Sequence, residues 1–453
     1  MREFLQTIPR ERSSAEIGSN SQLDISLSMF RRPFPISQHS RVSALKAVLV
    51  FGLILAMQLP TTSIAQQASQ PHVICLMVKD NVYGPLEGRL QRWKADKESL
   101  GASIILKVVL QESASEIRLF LKNITGLTGS LMVGDIPYVE YEWTFHDVYG
   151  KPIYDRFPSD LYYMDLNGEW VDSDGNGAYD KINGDLGPEI WVGRLKTSNL
   201  SGDQIELLER YFDKNHNYLS GTLTMPQRAL LYIDETTPEG TDEVTQYYTG
   251  ALALKTLEGL SRIYPEVVMV RSLEQTNSSD YLARLKEPWS LVRLNVHGDA
   301  TGHGFLYAGK KDRRVTSQDI KNTDPRSLFY VITSCHNFDY RKRDYIAAWY
   351  VFGSYGLFAI GDSSIRDILV VLPEVFYWNL KQECFGIAYL KYARECVTQN
   401  RNALNVINYV MVGDPSLGVI PSQPIPEFST TMPVAMALIV ALILLRKHKS
   451  DPE

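Results

Sequence analysis

Between residues 67 and 420 the apolar positions follow two rhythms that take turns. Short runs rich in β-branched residues are each followed by a stretch whose apolar positions lie three and four apart. That is the pattern of strand–helix–strand units around a parallel sheet. A first series predicts strands at 103–110, 130–133 and 189–192. Its helices fall at 115–123, with Ile117, Phe120 and Leu121 on one face, and at 203–212, with Ile205, Leu208 and Phe212 inward. A second series predicts strands at 230–233, 267–270, 294–298, 331–335 and 357–360. Its helices fall at 244–257, 280–285, 344–352, 373–380 (proline in the first turn) and 385–399. The series meet near 216–228 with no tandem repeat. The expected fold is α/β: two consecutive, mainly parallel sheets flanked by helices, one in residues 66–225 and one in residues 226–420.

Two of these strands end in reactive side chains. Leu294-Asn295-Val296-His297-Gly298 and Val331-Ile332-Thr333-Ser334-Cys335 place a histidine and a cysteine 38 positions apart. As neighbours in a parallel sheet they would emerge side by side at its carboxyl edge, where open α/β sheets keep their sites. A thiol beside an imidazole is a nucleophile with its base, so the residues themselves point to a cysteine hydrolase. Gly302-His303-Gly304 supplies an alternative base, His303, six residues further into the same loop. His297 is preferred because it ends the strand directly and glycine follows it. His336, next to the thiol, is expected to point away as a surface residue. His39, His72, His146, His216 and His448 form no cluster.

Composition narrows the classes. A 44% hydrophobic and 22% charged chain of 453 residues is globular in kind, and a net charge of −6 gives no basic face for nucleic acid. No glycine-rich phosphate loop follows a strand, which disfavours a nucleotide enzyme. Cys75, Cys335, Cys384 and Cys396 are too few for a disulfide scaffold and form no CxxC motif. Cys384 and Cys396 either pair or are buried free thiols.

Both ends carry membrane signals. Residues 47–57 are apolar, follow Arg41 and Lys46, and precede Ser63-Ile64-Ala65. That order reads as a secretory signal peptide cut after Ala65, with residues 1–65 as leader. An uncleaved anchor is the alternative, and a true start at Met29 would shorten the long polar lead. Residues 421–453 are a Pro-rich linker containing Pro426-Glu427-Phe428, an apolar run at 433–445 and the basic stop Arg446-Lys447-His448-Lys449. The apolar run is short for a spanning helix, which needs about 20 residues. The tripartite order resembles the PEF-type C-terminal sorting signal of archaeal surface proteins. That resemblance implies processing by an archaeosortase-like transpeptidase; a plain tail anchor is the alternative. Either reading leaves the body outside, tethered to the membrane or cell surface. The sequons at Asn123, Asn199 and Asn277 are compatible with that placement.

The body resembles the gingipain-type cysteine peptidases of the caspase-like clan. The strings that carry the likeness are Glu116-Ile117-Arg118, Leu131-Met132-Val133-Gly134-Asp135, Ser159-Asp160-Leu161-Tyr162-Tyr163 and Val192-Gly193-Arg194-Leu195. His297-Gly298, Ser334-Cys335 and Val412-Gly413-Asp414-Pro415-Ser416-Leu417 complete them, in order over residues 100–420. The resemblance implies hydrolysis of protein or peptide substrates, with Cys335 as nucleophile and His297 protonating the leaving amine. It also implies an oxyanion hole that includes the backbone N–H of Gly298. The pattern departs from the family in carrying both His297-Gly298 and Gly302-His303-Gly304. A catalytically inactive surface binding protein and a transpeptidase or self-processing factor remain as alternatives on the same scaffold.

One loop suggests a cation. Asp172, Asp174, Asn176 and Asp180 stand at loop positions 1, 3, 5 and 9, with the Ala178 carbonyl at position 7 and Gly175 and Gly177 for the turn. That spacing is a calcium cradle. The usual glutamate at position 12 is replaced by Asn183, with Asp185 and Glu189 as substitutes. The alternative is an acidic turn needing no ion. Asp234, Glu235, Asp242 and Asp362 follow strand edges and could line an acidic specificity pocket; acidic loop residues are more often simply solvated.

Overall fold

The computed structural model describes residues 72–146, 151–234, 243–271, 274–307, 310–365, 373–398 and 404–419. Ten strands build one central sheet. They are β1 (Val73–Lys79), β2 (Ser103–Val109), β3 (Leu127–Val133), β4 (Trp191–Leu195), β5 (Arg228–Ile233), β6 (Glu266–Val270), β7 (Trp289–Asn295), β8 (Ser327–Thr333), β9 (Phe358–Asp362) and β10 (Tyr409–Gly413). Across the sheet the order is β6-β5-β7-β8-β9-β10-β4-β3-β1-β2. Every residue of β4 and β10 is buried, so neither alternates apolar with polar positions; the one charged residue in them, Arg194 of β4, is buried too.

The α/β class and the mainly parallel, helix-flanked sheet agree with the sequence reading. The expected pair of separate sheets is corrected to one continuous sheet. β10 runs antiparallel to β9, from Phe358↔Gly413 to Asp362↔Tyr409, and parallel to β4 through the single register pair Val412↔Arg194. The last strand thus covers the inner edge of each half, edges that would otherwise stand open for foreign strands. The first four strands consequently run opposite to β5–β9, so the C-terminal half alone turns its carboxyl ends toward one edge.

Helices cover the sheet: α1 (Asp80–Ser99), α2 (Ala114–Lys122), α3 (Gln204–Leu219), α4 (Glu243–Ser261), α5 (Ser278–Leu285), α6 (Ser317–Thr323), α7 (Ile346–Val351), α8 (Pro373–Leu380) and α9 (Phe385–Thr398). Their starts follow capping chemistry. Ser113 and Glu116 close a capping box on α2, and Asp203 accepts from Ile205 and Glu206 at the head of α3. Asn277 caps α5, and Asn199 donates to the Tyr340 and Lys342 carbonyls, so two of the three sequon side chains have structural work.

Several strings of the family resemblance meet at the seam between the halves. Asp160 and Arg194 form a buried ion pair, Nε to Oδ1 2.7 Å, and the Tyr340 hydroxyl donates to the same oxygen at 3.0 Å. Asp414 accepts from Trp93 Nε1 (2.9 Å) and Asn215 Nδ2 (3.0 Å) and forms an ion pair with Lys97 Nζ (2.9 Å), all out of water. Gly193 lies against Gly413 and Pro415: a Cβ there would stand 2.4 Å from Pro415 Cδ. These motif residues therefore hold the seam rather than perform chemistry.

Candidate active site

β7 and β8 are parallel neighbours, in register Asn295↔Thr333. The Val296 N–H then donates to the Thr333 carbonyl at 3.1 Å, carrying the pairing past the strand ends. His297 and Cys335 each lie two residues beyond that register pair. They leave adjacent strands at matching height on the carboxyl edge, as the spacing of the two strings predicts.

Beyond β7 the chain folds into a small antiparallel ribbon, His297–Asp299 against Gly302–Gly304, with Val315–Thr316 on its far side. His297 stands opposite Gly304, and Gly298 opposite His303. Successive residues of a strand point to opposite faces, so His297 and His303 project from opposite faces of the ribbon. His303 is fully buried, its Nε2 2.8 Å from the Tyr350 hydroxyl and its ring edge-on to Tyr281. Burial pushes its pKa down to about 3, so it stays neutral. His297 is half-buried and lines an open cleft with Asp299, Phe305, Lys311, Asp312 and Arg314. Of the two candidate bases, the cleft is reached by His297.

Gly298 brings the two loops together. A Cβ on it would stand 2.3 Å from Ser334 Oγ, 2.7 Å from the Gly302 carbonyl and 2.9 Å from Asn337 Nδ2. No side chain fits between the histidine loop and the residue that precedes Cys335. Asn337, buried and not singled out from the sequence, bridges the same gap: its Nδ2 lies 2.5 Å from the Asp299 carbonyl and 3.4 Å from the Cys335 carbonyl. A buried amide two residues past the thiol was its only signal.

Cys335 is half-buried at the start of the turn after β8, and His336 follows in left-handed conformation, φ 57°. His336 is not the outward surface residue expected. Its N–H donates to the Ser364 carbonyl (3.0 Å), its Nδ1 lies 3.2 Å from the Ser363 carbonyl, and its Nε2 lies 3.7 Å from Asp155. None of the four cysteines is in a disulfide, so Cys384 and Cys396 do not pair with each other. Burial raises the Cys75 thiol to about 12 and Cys384 to about 11, which leaves both inert near neutral pH.

The acidic loop bonds to itself. Asp172 accepts from the N–H groups of Gly175, Asn176 and Gly177, Asp174 from Asn176, Asn176 from Ala178, Asp180 from Ser173 and Asp185 from Gly187. Glu142, from the neighbouring hairpin, reaches in to accept from Asn176 Nδ2 at 2.8 Å. Among the described residues no three His, Cys, Asp or Glu side chains gather closely enough to hold a metal ion. Of the candidate substrate-binding acids, Asp234 is buried and accepts the Leu306 N–H at 2.7 Å, beneath the cleft wall. Asp362 is buried at the end of β9, opposite Tyr409. Glu235 and Asp242 lie outside the described residues. The carboxylates that line the cleft are Asp299 and Asp312, and spacing gave no sign of either.

Comparison with solved structures supports the fold. The chain is similar to the Arg-specific cysteine proteinase gingipain R (RgpB), with TM-score 0.56 and 16% identity over 78% of this chain and 79% of that one. It is also similar to the complex of Porphyromonas gingivalis RgpB pro- and mature domains, with TM-score 0.52 and 15% identity over 77% and 80%. No curated protein matches. Fold and family together define a cysteine-type peptidase on a caspase-like α/β sheet. The family model described as peptidase family C25 matches residues 76–420, and the chain belongs to that family.

Proposed function

We propose that this peptidase is a secreted, surface-tethered endopeptidase working through a Cys335–His297 dyad. One observation carries the reading: the Asn295↔Thr333 register delivers the two side chains to the same edge at the same height. In the proposed reaction the Cys335 thiolate attacks the scissile carbonyl carbon, and the developing oxyanion sits against the backbone N–H groups of Gly298 and Cys335. The C–N bond then breaks, the amine leaves with a proton from His297, and water hydrolyses the thioester to a carboxylic acid and free thiol. Protein or peptide substrates follow from the chemistry.

Surface tethering rests on the apolar runs at 47–57 and 433–445, both outside the described residues. Among the described residues no helix is long and apolar enough to cross a membrane. An archaeosortase-like enzyme is the proposed partner for the C-terminal run.

The test is covalent labelling of the full chain by peptidyl acyloxymethyl ketones carrying Arg, Lys, Asn or Asp at P1. Cys335→Ala is expected to abolish labelling, His297→Ala to slow it at least about a hundredfold, and His303→Ala to act only through stability. Labelling retained in Cys335→Ala would refute the dyad. A chain that no probe labels would instead be a binding protein on the same scaffold.

A further inference from the structure

Beneath the catalytic edge, strands β7, β8, β9 and β10 and helices α8 and α9 line a partly open cavity with about 40 Å³ of free volume. Its walls are aromatic, from Phe376, Tyr377, Tyr389 and Tyr392, and one side chain in it is cationic. Arg293 is only 4% exposed. Its Nη1 donates to the carbonyls of Leu294 (3.1 Å) and Val331 (3.3 Å) and to Thr333 Oγ1 (2.6 Å). Those acceptors are all neutral. Among the described residues no carboxylate pairs with this guanidinium, and none accepts from its Nε or Nη2. The other deeply buried ion pairs show what the chain does elsewhere: Arg194 has Asp160, and Lys97 has Asp414. A buried cation without a counter-charge is costly. A second polar atom in the same cavity is also unpartnered: the Tyr377 hydroxyl, on a side chain 1% exposed.

We propose that this cavity binds a small monocarboxylate. The free edge of a guanidinium presents two parallel N–H donors whose spacing matches a carboxylate, which a spherical halide does not exploit. The Tyr377 hydroxyl supplies a further donor, and the aromatic walls suit a short alkyl tail. At roughly 10–15 Å³ for each water, the space holds about three waters, which is the size of acetate or propionate. The site is distinct from the cleft at His297. Yet it is built on the two strands that carry the dyad, with Thr333 and Arg293 two and four residues upstream of Cys335 and His297.

The experiment is calorimetric titration of the full chain with sodium propionate, with sodium chloride and neutral propionamide as controls; it does not depend on peptidase activity. Saturable binding of one propionate per chain is expected, with none of propionamide. Tyr377→Phe, which removes one hydroxyl and no volume, should weaken binding about tenfold or more, and Arg293→Gln should abolish it. If Arg293→Gln does not fold, Tyr377→Phe carries the test. Absence of saturable heat, binding unchanged in Tyr377→Phe, or chloride binding as tightly as propionate would each overturn the assignment.

Discussion

Replacing Gly298 by alanine adds one methyl group where three atoms already stand within 3 Å: Ser334 Oγ at 2.3 Å, the Gly302 carbonyl at 2.7 Å and Asn337 Nδ2 at 2.9 Å. Two of these belong to the cysteine loop, so the cheapest relief is to push that loop away from the histidine ribbon. Overpacking of this kind costs about 1–3 kcal/mol, a fall of a few degrees in Tm for a chain of this size. The larger effect falls on chemistry. A displacement of about 1 Å between reacting groups costs on the order of a hundredfold in rate. The assay is the second-order rate of Cys335 labelling by a peptidyl acyloxymethyl ketone, measured beside calorimetric Tm. The double variant separates contact from general damage. Ser334 Oγ is buried without a hydrogen-bond partner, so Ser334→Ala alone should be near neutral. In the Gly298→Ala background it removes the shortest contact and should recover part of the loss, a coupling of about 0.5–3 kcal/mol. Wild-type labelling in Gly298→Ala, or no recovery in the double variant, would refute the close approach of the two loops.

Other outcomes follow from the same structure. Asn337→Ala and Asn337→Asp both remove the donor to the Asp299 and Cys335 carbonyls; both should slow labelling and cost about 1–3 kcal/mol, whereas rescue by Asp would show that volume alone matters. Asp160→Asn strands the buried Arg194 charge and should lower stability by about 3–5 kcal/mol in urea denaturation; a change near zero would deny the ion pair its role at the seam. His303, held at about 3 in the fold against 6.5 unfolded, gains its proton only in the unfolded chain between those pH values. Stability should therefore fall as pH drops from 6.5 toward 3, by roughly 4 kcal/mol at most, and His303→Gln should flatten that slope. Calcium at the 172–180 loop stands as a proposal: the side chains of Asp172, Asp174, Asn176 and Asp180, here bonded within the loop, would have to turn together toward the ion with the Ala178 carbonyl and Asp185. Millimolar calcium should then raise Tm and Asp174→Asn should cancel the gain; a Tm indifferent to calcium and to EDTA would leave a self-bonded turn.

What the sequence disclosed was the part written in short-range pattern. Strands such as β7 and β8 are mostly apolar runs, broken in β7 by Ser290 and Arg293, that lead into chemically distinct residues, so their existence and their products at the edge could both be read. The 20-residue helix α1 was missed because Gly84, Pro85 and Gly88 interrupt it, although Val82, Leu86, Leu90, Trp93 and Lys97 keep a buried stripe. The ribbon that separates His297 from His303 was hidden for another reason. Its register is fixed by Val315–Thr316 and by Asp234 under Leu306, contacts far along the chain that leave no mark on the five residues between the histidines. The seam was hidden for the same reason: Asp160, Arg194 and Asp414 each look like ordinary loop or strand-end charges until their distant partners are known.

The position of β10 has a consequence for how the molecule is made. The last strand among the described residues is not peripheral; it enters the middle of the sheet, between β9 and β4. Until residue 413 has emerged, the two halves have no strand in common, and each must wait with a bare inner edge. The sheet is therefore completed in a single closing event rather than a steady accretion, and a chain stopped before Tyr409 would leave two half-sheets with bare inner edges. Late closure would also postpone the moment at which the scaffold of the proposed Cys335–His297 dyad is complete.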